Sequence, residues 1–334
     1  QKRRAGEQNA MVFKTMVSWL SAALVIAGGA CLGAPAAAGT LRVGKPQAEV
    51  FSFVPLDIGM KEGFFHNHGV EISEFVLGGA AKLQQALAAD AIDIGIGSGP
   101  AMAFVARGAP VKGVAAMAGK PSIMVLAVAK DGPVKKIADL KGKTLSISSP
   151  GSVTEWLVRE LSRKQGWGPN GMTLVGLGTN SAQIAALRTG QTVGLPDDIV
   201  LATKLEQEGI LKILVHFDDI APHFIMHVIF ASDKAIKKQP DDVRRFLAGW
   251  FETIAFMRKN KASSVPIAAK VTNVSPDVVA RAYDRIMPMF SDTGRFDPKA
   301  LAVLAQSFVD LRLLPAKPDM TKLYTEAFLP AAAK

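Results

Sequence analysis

One pattern of strands, helices and polar turns occurs twice in this chain. The first copy runs over residues 40–97 and the second over residues 144–195. Within them, the polar turn and helix of residues 78–87 have their counterpart at residues 178–187. Each copy reads as strand, loop, helix, strand, polar turn, helix and strand. Because each α/β unit of this kind covers a sheet with its own helices, the repeat predicts two similar α/β lobes with a cleft between them.

The polar turns of both copies indicate where a ligand would bind. In open α/β sheets, ligands bind outside the carboxyl ends of the strands, where loops lead into helix N-termini. The turns at residues 78–80 and 178–180 each follow a strand and precede a helix, which places them at this edge. The sequence therefore predicts a ligand site in the cleft between the lobes.

Two short segments are expected to connect the lobes. Residues 118–122 read as the first crossing, and the return crossing is expected close to Ala231-Ser232. These crossings divide the chain into lobe 1, formed by residues 39–121 together with 233–334, and lobe 2, formed by residues 122–232.

The chain after Gln239 is predicted to be helical. Apolar residues recur there at helical spacing, which is typical of one buried helix face; they are Val243, Phe246, Leu247, Trp250, Phe251, Ile254 and Met257. Ser275-Pro276 and Asp297-Pro298 are expected to open two further helices, because a polar cap followed by proline suits a first turn. We expect these aromatic residues to form core rather than a ligand site.

Residues 1–38 are predicted to precede and include a cleaved secretory signal peptide. Met11 is a plausible start, Lys14 gives a positive region, and an apolar stretch leads to the cleavage signal at residues 36–38. That stretch is shorter than the ~20 residues a membrane span needs. Cys31, the only cysteine, lies inside this leader, with Gly28 where a lipoprotein signal wants a branched apolar residue. The mature chain is therefore expected in the periplasm without disulfides or cysteine metal sites.

The charge of the chain favours anionic partners. The formal net charge is +10, and residues 1–38 carry four basic residues against Glu7, or +3, so that the mature part carries +7. Such a charge attracts anions over distance. The sequence has no clustered basic stripe with interleaved aromatic residues, so we expect no nucleic-acid partner.

Four loop-to-helix junctions carry the small residues that an anion site needs. Backbone N–H groups and the helix dipole favour negative charge at such places. The candidate ligand-binding residues at these junctions are Gly79, Ala80, Ser98, Gly99, Ser149, Ser152, Thr179 and Asn180. Simple helix capping is the alternative, and Ser152 with Glu155 three residues later reads as a capping box.

The loop after the first strand is predicted to form the rim of the cleft. Gln47, Phe51 and Ser52 are its candidate ligand contacts. The ring of Phe51 would either stack on a ligand or pack in the core. Trp156 leaves the same two alternatives, a wall of the cleft or plain core.

No catalytic or metal site is expected. His223 and His227 stand four residues apart, but Pro222 and a strand pattern argue against a helix there. The paired acids at 197–198 and 218–219 read best as helix caps and solvated loops. The alternative is that these acids recognise a cationic group on the ligand, and Asp197 is the candidate ligand contact among them. Because no nucleophile, phosphate-binding or dinucleotide motif is present, we expect neither catalysis nor a cofactor.

Several blocks of the sequence resemble a known family. They are Pro55–Gly59, Glu62–Phe65, Gly69–Ile72, Ala86-Leu87 with Asp93–Gly95, Gly108–Lys112, Ala138–Thr144 and Pro150–Ser152. Their order and spacing resemble the NMT1/THI5-like periplasmic solute-binding proteins of the nitrate, sulfonate and taurine type. The resemblance implies a type II periplasmic binding fold, two crossings, and ligand contacts from the first-strand loop and the four junctions. It departs at residues 190–197, where members commonly carry an aspartate after glycine.

The resemblance also implies a function and its alternatives. The chain would be the monomeric solute-binding component of an ABC importer, delivering a small anionic solute such as a sulfonate, taurine, nitrate or a carboxylate to a permease with its ATPase. A pyrimidine, a thiamine precursor or another heterocycle is the alternative solute. An enzyme of the same superfamily makes a thiamine pyrimidine, but it needs cysteines and iron. A binding module that serves a sensor is a third class.

Overall fold

The structure is a computed structural model that describes residues 39–331. The predicted signal peptide, including Met11 and Cys31, lies outside the described residues, as do residues 332–334. Among the residues described, no helix combines the length and the apolar character needed to cross a membrane.

The strands belong to two separate sheets. The strands of the described chain are β1 (Gly39–Lys45), β2 (Val70–Val76), β3 (Ile94–Ser98), β4 (Val111–Ala118), β5 (Met124–Ala129), β6 (Thr144–Ile147), β7 (Thr173–Gly176), β8 (Gly194–Asp198), β9 (Leu211–His216) and β10 (His227–Ser232). The first sheet has the order β2-β1-β3-β10-β4 and the second β7-β6-β8-β5-β9. We call the first sheet with its helices lobe 1 and the second lobe 2.

Helices connect most of the strands and form the C-terminal region. The helices of the described chain are α1 (Val54–Lys61), α2 (Phe64–Asn67), α3 (Ala80–Ala88), α4 (Met102–Ala106), α5 (Val153–Lys164), α6 (Asn180–Arg188), α7 (Ile199–Gln207), α8 (Phe217–Ile220), α9 (Asp233–Lys238), α10 (Pro240–Lys259), α11 (Lys261–Thr272), α12 (Pro276–Ile286) and α13 (Pro298–Asp310). A 3₁₀ turn over Phe51–Phe53 precedes α1, and another over Gly99–Ala101 precedes α4.

The two sheets have the same topology. In the first, β1 is parallel to β2 and β3, and in the second, β6 is parallel to β7 and β8. The fourth strand of each sheet, β10 or β5, is antiparallel to both of its neighbours. The repeat read from the sequence is therefore confirmed, and each copy supplies three parallel strands to its sheet.

The position of β10 corrects one boundary. The sequence places residues 227–232 in lobe 2, but β10 pairs with β3 and β4 of the first sheet. Every residue of this strand is buried, so its uniformly apolar pattern suits the middle of either sheet and carries no information about which. The return crossing therefore lies at residues 221–226, before β10, and the expectation of a crossing at Ala231-Ser232 is wrong.

The C-terminal helices pack against both lobes. On α10, the apolar face described above is buried except for Phe251, which is half-buried, and Phe246 stacks on Phe65 of α2 in lobe 1 with ring centroids 5.2 Å apart. On α12, Arg285 forms an ion pair of 2.8 Å with Asp218, which lies in α8 of lobe 2. The tail, which the sequence assigns to lobe 1, thus also holds lobe 2.

Candidate functional site

The two lobes meet where the loop after β1 faces the end of β8. The carboxylate of Asp198 lies near the main-chain N–H of Phe51, and it caps α7 by accepting a hydrogen bond of 2.8 Å from the amide of Val200. Burial raises the pKa of Asp198 to about 7, although these two amides act in the opposite direction. The capping role expected for Asp198 is confirmed, and the contact with Phe51 brings both predicted walls of the cleft together.

Asp197 is a buried carboxylate with one free oxygen. Its Oδ1 accepts hydrogen bonds of 3.1 Å from Nδ2 of Asn180 and 2.8 Å from the amide of Asp198. Its Oδ2 has no partner within the described residues, and the residue is only 3% exposed. Burial first, and the charge of Asp198 second, raise the pKa of Asp197 to about 7. The expectation of a solvated loop is therefore wrong for Asp197.

On the lobe 1 side, this contact combines a buried serine with the ring of Phe51. Ser52 is fully buried, and its hydroxyl has no hydrogen-bond partner in the described part of the chain. The ring of Phe51 packs edge-on against Tyr283 at 5.9 Å, which is the core alternative for this ring. Gln47 lies exposed in the same loop.

The end of β3 does not offer the amide that the sequence suggests. The N–H of Gly99 donates a hydrogen bond of 2.8 Å to the carbonyl of Met226 in the return crossing. A Cβ at Gly99 would lie 1.9 Å from the carbonyl oxygen of Ile225. Glycine is thus needed here for the close approach of two main chains, and the expectation of a free anion-binding amide at Gly99 is wrong. Ser98, the last residue of β3, stays partly exposed.

His227 lies directly beside Ser98 on the neighbouring strand. Its ring packs edge-on against Phe53 at 5.2 Å, and its Nδ1 has no partner among the described residues. Burial lowers the pKa of His227 to about 3, so the imidazole is neutral near physiological pH.

The N-terminus of α5 already carries a carboxylate of its own. The Ser152 hydroxyl accepts a hydrogen bond of 3.3 Å from the amide of Glu155, as the capping box predicts. The Glu155 carboxylate accepts 2.7 Å hydrogen bonds from the amide of Gly151 and from Nε of Arg159. A solute anion would therefore compete with Glu155 at this helix start. Ser149 is exposed in the preceding loop.

The helix starts of α6 and α3 differ in how they are capped. Thr179 caps α6 through a hydrogen bond of 3.3 Å from the amide of Ala182 to its hydroxyl. The start of α3 has no side-chain cap, because Gly79, with φ 145°, stands at the cap position. Ala80 and Lys82 are exposed in its first turn. Of the four predicted junctions, α3 thus keeps the most open N–H groups, with a cation beside them.

Trp156 adopts the core alternative. Its ring is buried and stacks on Phe224 with centroids 4.3 Å apart. Its Nε1 lies 3.3 Å from Oδ2 of Asp310 in α13, which also forms an ion pair of 2.9 Å with Arg163. These contacts join α5, the return crossing and the tail.

Several polar residues that the sequence analysis missed are buried near the strand ends. Gln84 of α3 and Gln183 of α6 are each 2% exposed and carry unpartnered amide atoms within residues 39–331. Lys45, at the end of β1, is buried between Asp57 at 3.0 Å and Glu74 at 2.6 Å. The sequence contains a feature that could have revealed the two buried glutamines. Each stands on the apolar face of a helix that follows a polar turn.

A separate cavity of about 310 Å³ is bordered by residues of both crossings. Its lining includes Lys120, His223, Phe290, Arg295 and Asp297, and none of the predicted site residues. The described part of the chain contains no group of three or more histidine, cysteine, aspartate or glutamate side chains placed to hold a metal ion.

Comparison with known families assigns the chain. The family model described as NMT1/THI5 like matches residues 51–263, which include most of both sheets. The chain belongs to the NMT1/THI5-like family. The resemblance of the sequence blocks to this family is thereby confirmed.

Solved structures share the fold of this NMT1/THI5-like protein. The alkanesulfonate-binding protein SsuA from Xanthomonas axonopodis pv. citri, bound to MOPS, is 19% identical with a TM-score of 0.73, covering 86% of this chain and 98% of that one. The periplasmic aliphatic sulphonate binding protein SsuA from Escherichia coli is 21% identical with a TM-score of 0.73, covering 86% and 97%. The predicted type II periplasmic binding fold, with two α/β lobes and a helical C-terminal region, is confirmed.

A relative found by sequence similarity is named as an enzyme rather than as a binding protein. The yeast 4-amino-5-hydroxymethyl-2-methylpyrimidine phosphate synthase THI13, from Saccharomyces cerevisiae, is 24% identical over 205 residues. The match covers 58% of this chain, and the chain spans 60% of the length of that relative.

Proposed function

We propose that this NMT1/THI5-like protein is the solute-binding component of an ABC importer and acts outside the cytoplasm, in the periplasm. The observation that carries the proposal is the meeting of two equivalent lobes at Phe51 and Asp198, at the carboxyl ends of their strands. Buried polar groups without partners lie around this contact, as expected where a solute completes the hydrogen bonding. The fold shared with two sulfonate-binding proteins supports it.

The solute is proposed to carry a sulfonate or carboxylate group. The start of α3 supports this, because Gly79 and Ala80 present uncapped N–H groups and Lys82 adds a positive charge. The starts of α4 and α5 support it less, since Met226 and Glu155 occupy their amides. The predicted charge of +7 for the mature chain acts in the same direction. Taurine and nitrate remain members of the proposed solute class.

The protein is proposed to bind its solute without transforming it. His227, which lies beside Phe53 and Ser98, is neutral and buried with a pKa of about 3, so it is a poor proton acceptor near neutral pH. Its partners are then a permease with its ATPase, and the working form is a monomer. The yeast relatives are named as synthases, which keeps an enzyme on this fold as the competing class.

A heterocyclic solute is the second candidate. Gln84 and Gln183 favour it, because their buried carboxamides can both donate to and accept from ring nitrogens and amino groups. The name of the yeast relatives, which mentions an aminopyrimidine, is consistent with this candidate.

A thermal-shift screen of the purified mature protein tests the proposal. Ethanesulfonate, taurine, nitrate, benzoate, pyrimidine and 4-aminopyrimidine are added separately, and binding to the native state raises Tm. A rise with a sulfonate or carboxylate that calorimetry confirms as binding supports the proposed function. A rise with the pyrimidines alone supports the second candidate, and conversion of a bound compound, seen by mass spectrometry, contradicts the binding role.

A further inference from the structure

Only one of the two oxygens of the Asp197 carboxylate accepts hydrogen bonds within the described chain, and the other oxygen lacks a donor. Oδ1 accepts from Asn180 and from the Asp198 amide, while Oδ2 is buried without a partner. No ion pair to Asp197 forms within residues 39–331. Above its pKa of about 7 the carboxylate is ionised and only accepts hydrogen bonds, so at such pH the group that completes this site is an N–H or O–H.

Two other buried side chains also carry polar atoms without a partner in the described chain. Ser52 follows Phe51, whose amide faces Asp198, and the buried Ser52 hydroxyl has no partner in the described chain. Gln183 stands one helical turn after Asn180 and leaves Oε1 unpartnered. Ser52 belongs to lobe 1, whereas Gln183 and Asp197 belong to lobe 2, so both lobes hold buried polar atoms without partners. A protein that left all of them unpaired permanently would lose stability at each one.

A cationic or polarised N–H group suits Asp197 better than a hydroxyl. A carboxylate that loses water on burial is stabilised most by positive charge at hydrogen-bond distance. No salt bridge joins Asp197 to a lysine, arginine or histidine within residues 39–331, and Arg159, on the adjoining helix α5, is bound to Glu155 and to Asn170. The described chain therefore pairs no cation with Asp197, and a cationic group of the solute can take this place.

We propose that Asp197 is the residue that selects a solute carrying an amino group, accepting an N–H hydrogen bond from that group at Oδ2. The proposal rests on the proposed function, since it places the solute between the lobes. Together with the α3 start, it assigns an amphoteric solute, with its acidic group toward Gly79 and its amino group toward Asp197.

The substitution Asp197→Asn tests this with little disturbance. An asparagine keeps Oδ1, and with it the hydrogen bonds from Asn180 and Asp198. It replaces Oδ2 with an NH₂ group, which faces the solute amino group donor to donor. Asp219→Asn is the matched control, because it makes the same change at an exposed position of lobe 2.

Calorimetry at pH 8 compares compounds that differ only by the amino group: taurine against ethanesulfonate, 4-aminobutyrate against butyrate, and 4-aminopyrimidine against pyrimidine. In the wild-type protein we expect the amino member of the binding pair to bind about ten- to a hundredfold more tightly. Asp197→Asn should remove that preference and leave the other member unchanged, while Asp219→Asn should alter neither. The pair that binds identifies the solute class, and the loss of the amino preference in Asp197→Asn tests the role of Asp197.

Three results would overturn the proposal. They are a wild-type preference for the member without an amino group, a preference that survives in Asp197→Asn, or equal weakening of both members. If no compound binds, the stabilities of the unliganded wild type and variant still test the proposal. Asp197→Asn should then be at least as stable as the wild type at pH 8, and lower stability would show that Oδ2 is satisfied inside the protein.

Discussion

The side chain of Asn180 donates a hydrogen bond of 3.1 Å to the carboxylate of Asp197, which joins the first residue of α6 to the end of β8. The two residues stand 17 positions apart in the chain. Through this bond, a carboxylate comes to lie at a helix start, where the dipole favours negative charge. Lobe 2 thus presents an acceptor where the sequence suggests an anion-binding turn.

The unliganded protein should lose stability as pH rises from about 4 to 7. The folded pKa of Asp197, about 7, lies above its unfolded value, so its contribution is complete below pH 4 and is lost as pH passes through 7. Asp197→Asn should remove the part of this dependence that Asp197 contributes, whereas Asp198, whose pKa is also about 7, keeps its own part. The free energy of unfolding of Asp197→Asn should exceed that of the wild type by on the order of 4 kcal/mol at pH 8, and the difference should nearly vanish at pH 4.

Urea unfolding at several pH values measures this difference. His227 acts in the opposite direction below pH 6.5, because its folded pKa of about 3 lies under its unfolded value. That contribution is present in both proteins and cancels between them. A difference that does not depend on pH would contradict the assignment to Asp197.

Replacing Gly99 with alanine should damage the fold rather than the solute site alone. The added Cβ would lie 1.9 Å from the Ile225 carbonyl oxygen, so the return crossing has to move. We expect a loss of about 2–4 kcal/mol in the free energy of unfolding. Gly119→Ala, in the first crossing, is the control, since its nearest neighbours lie 3.8 Å away. Similar effects of the two substitutions would contradict the close approach at Gly99.

Replacing Lys82 with glutamine should weaken the binding of a sulfonate or carboxylate about two- to fivefold. Lys82 is exposed in the first turn of α3, so its attraction is screened by salt. Calorimetry at low and at high ionic strength should show the loss at low salt only. Lys135→Gln, on the surface of lobe 2, should leave the affinity unchanged. An equal loss with both variants would indicate an effect of net charge rather than a site at α3.

Replacing Asp310 with alanine should destabilise the protein by about 1–3 kcal/mol. The change removes the acceptor for the buried Trp156 Nε1 and one of the two acidic partners of Arg163, the other being Glu160. Asp292→Ala removes an exposed ion pair with Arg258 and should cost less than about 1 kcal/mol. Denaturant unfolding of both variants measures the contrast, and a smaller loss for Asp310 would contradict its role between α5 and the tail.

The repeat allowed two similar α/β lobes to be predicted from the sequence, because each copy carries its own alternation of strand and helix. The sheet that takes β10 could not be predicted, since a fully buried apolar strand fits either sheet and its place depends on pairing with β3 and β4. The capping by Ser152, Thr179 and Asp198 was readable from local spacing.

The hydrogen bonding of the site was only partly readable. That Gly99 gives its amide to Met226 depends on a contact between segments far apart in the chain. The burial of Asp197 depends on the docking of α6 over β8, so a sequence of two adjacent acids suggested a solvated loop instead. Gln84 and Gln183 were missed because a single polar residue on an apolar helix face usually lies at the edge of that face, where water solvates its side chain.

The most direct test of the account is a crystal structure of the protein with the screened compound that raises Tm most. The account predicts electron density for that compound between the lobes, within hydrogen-bond distance of Ser52 and Asp197. Density for the compound in the cavity beside Lys120 and Arg295, and none between the lobes near Phe51 and Asp198, would contradict it.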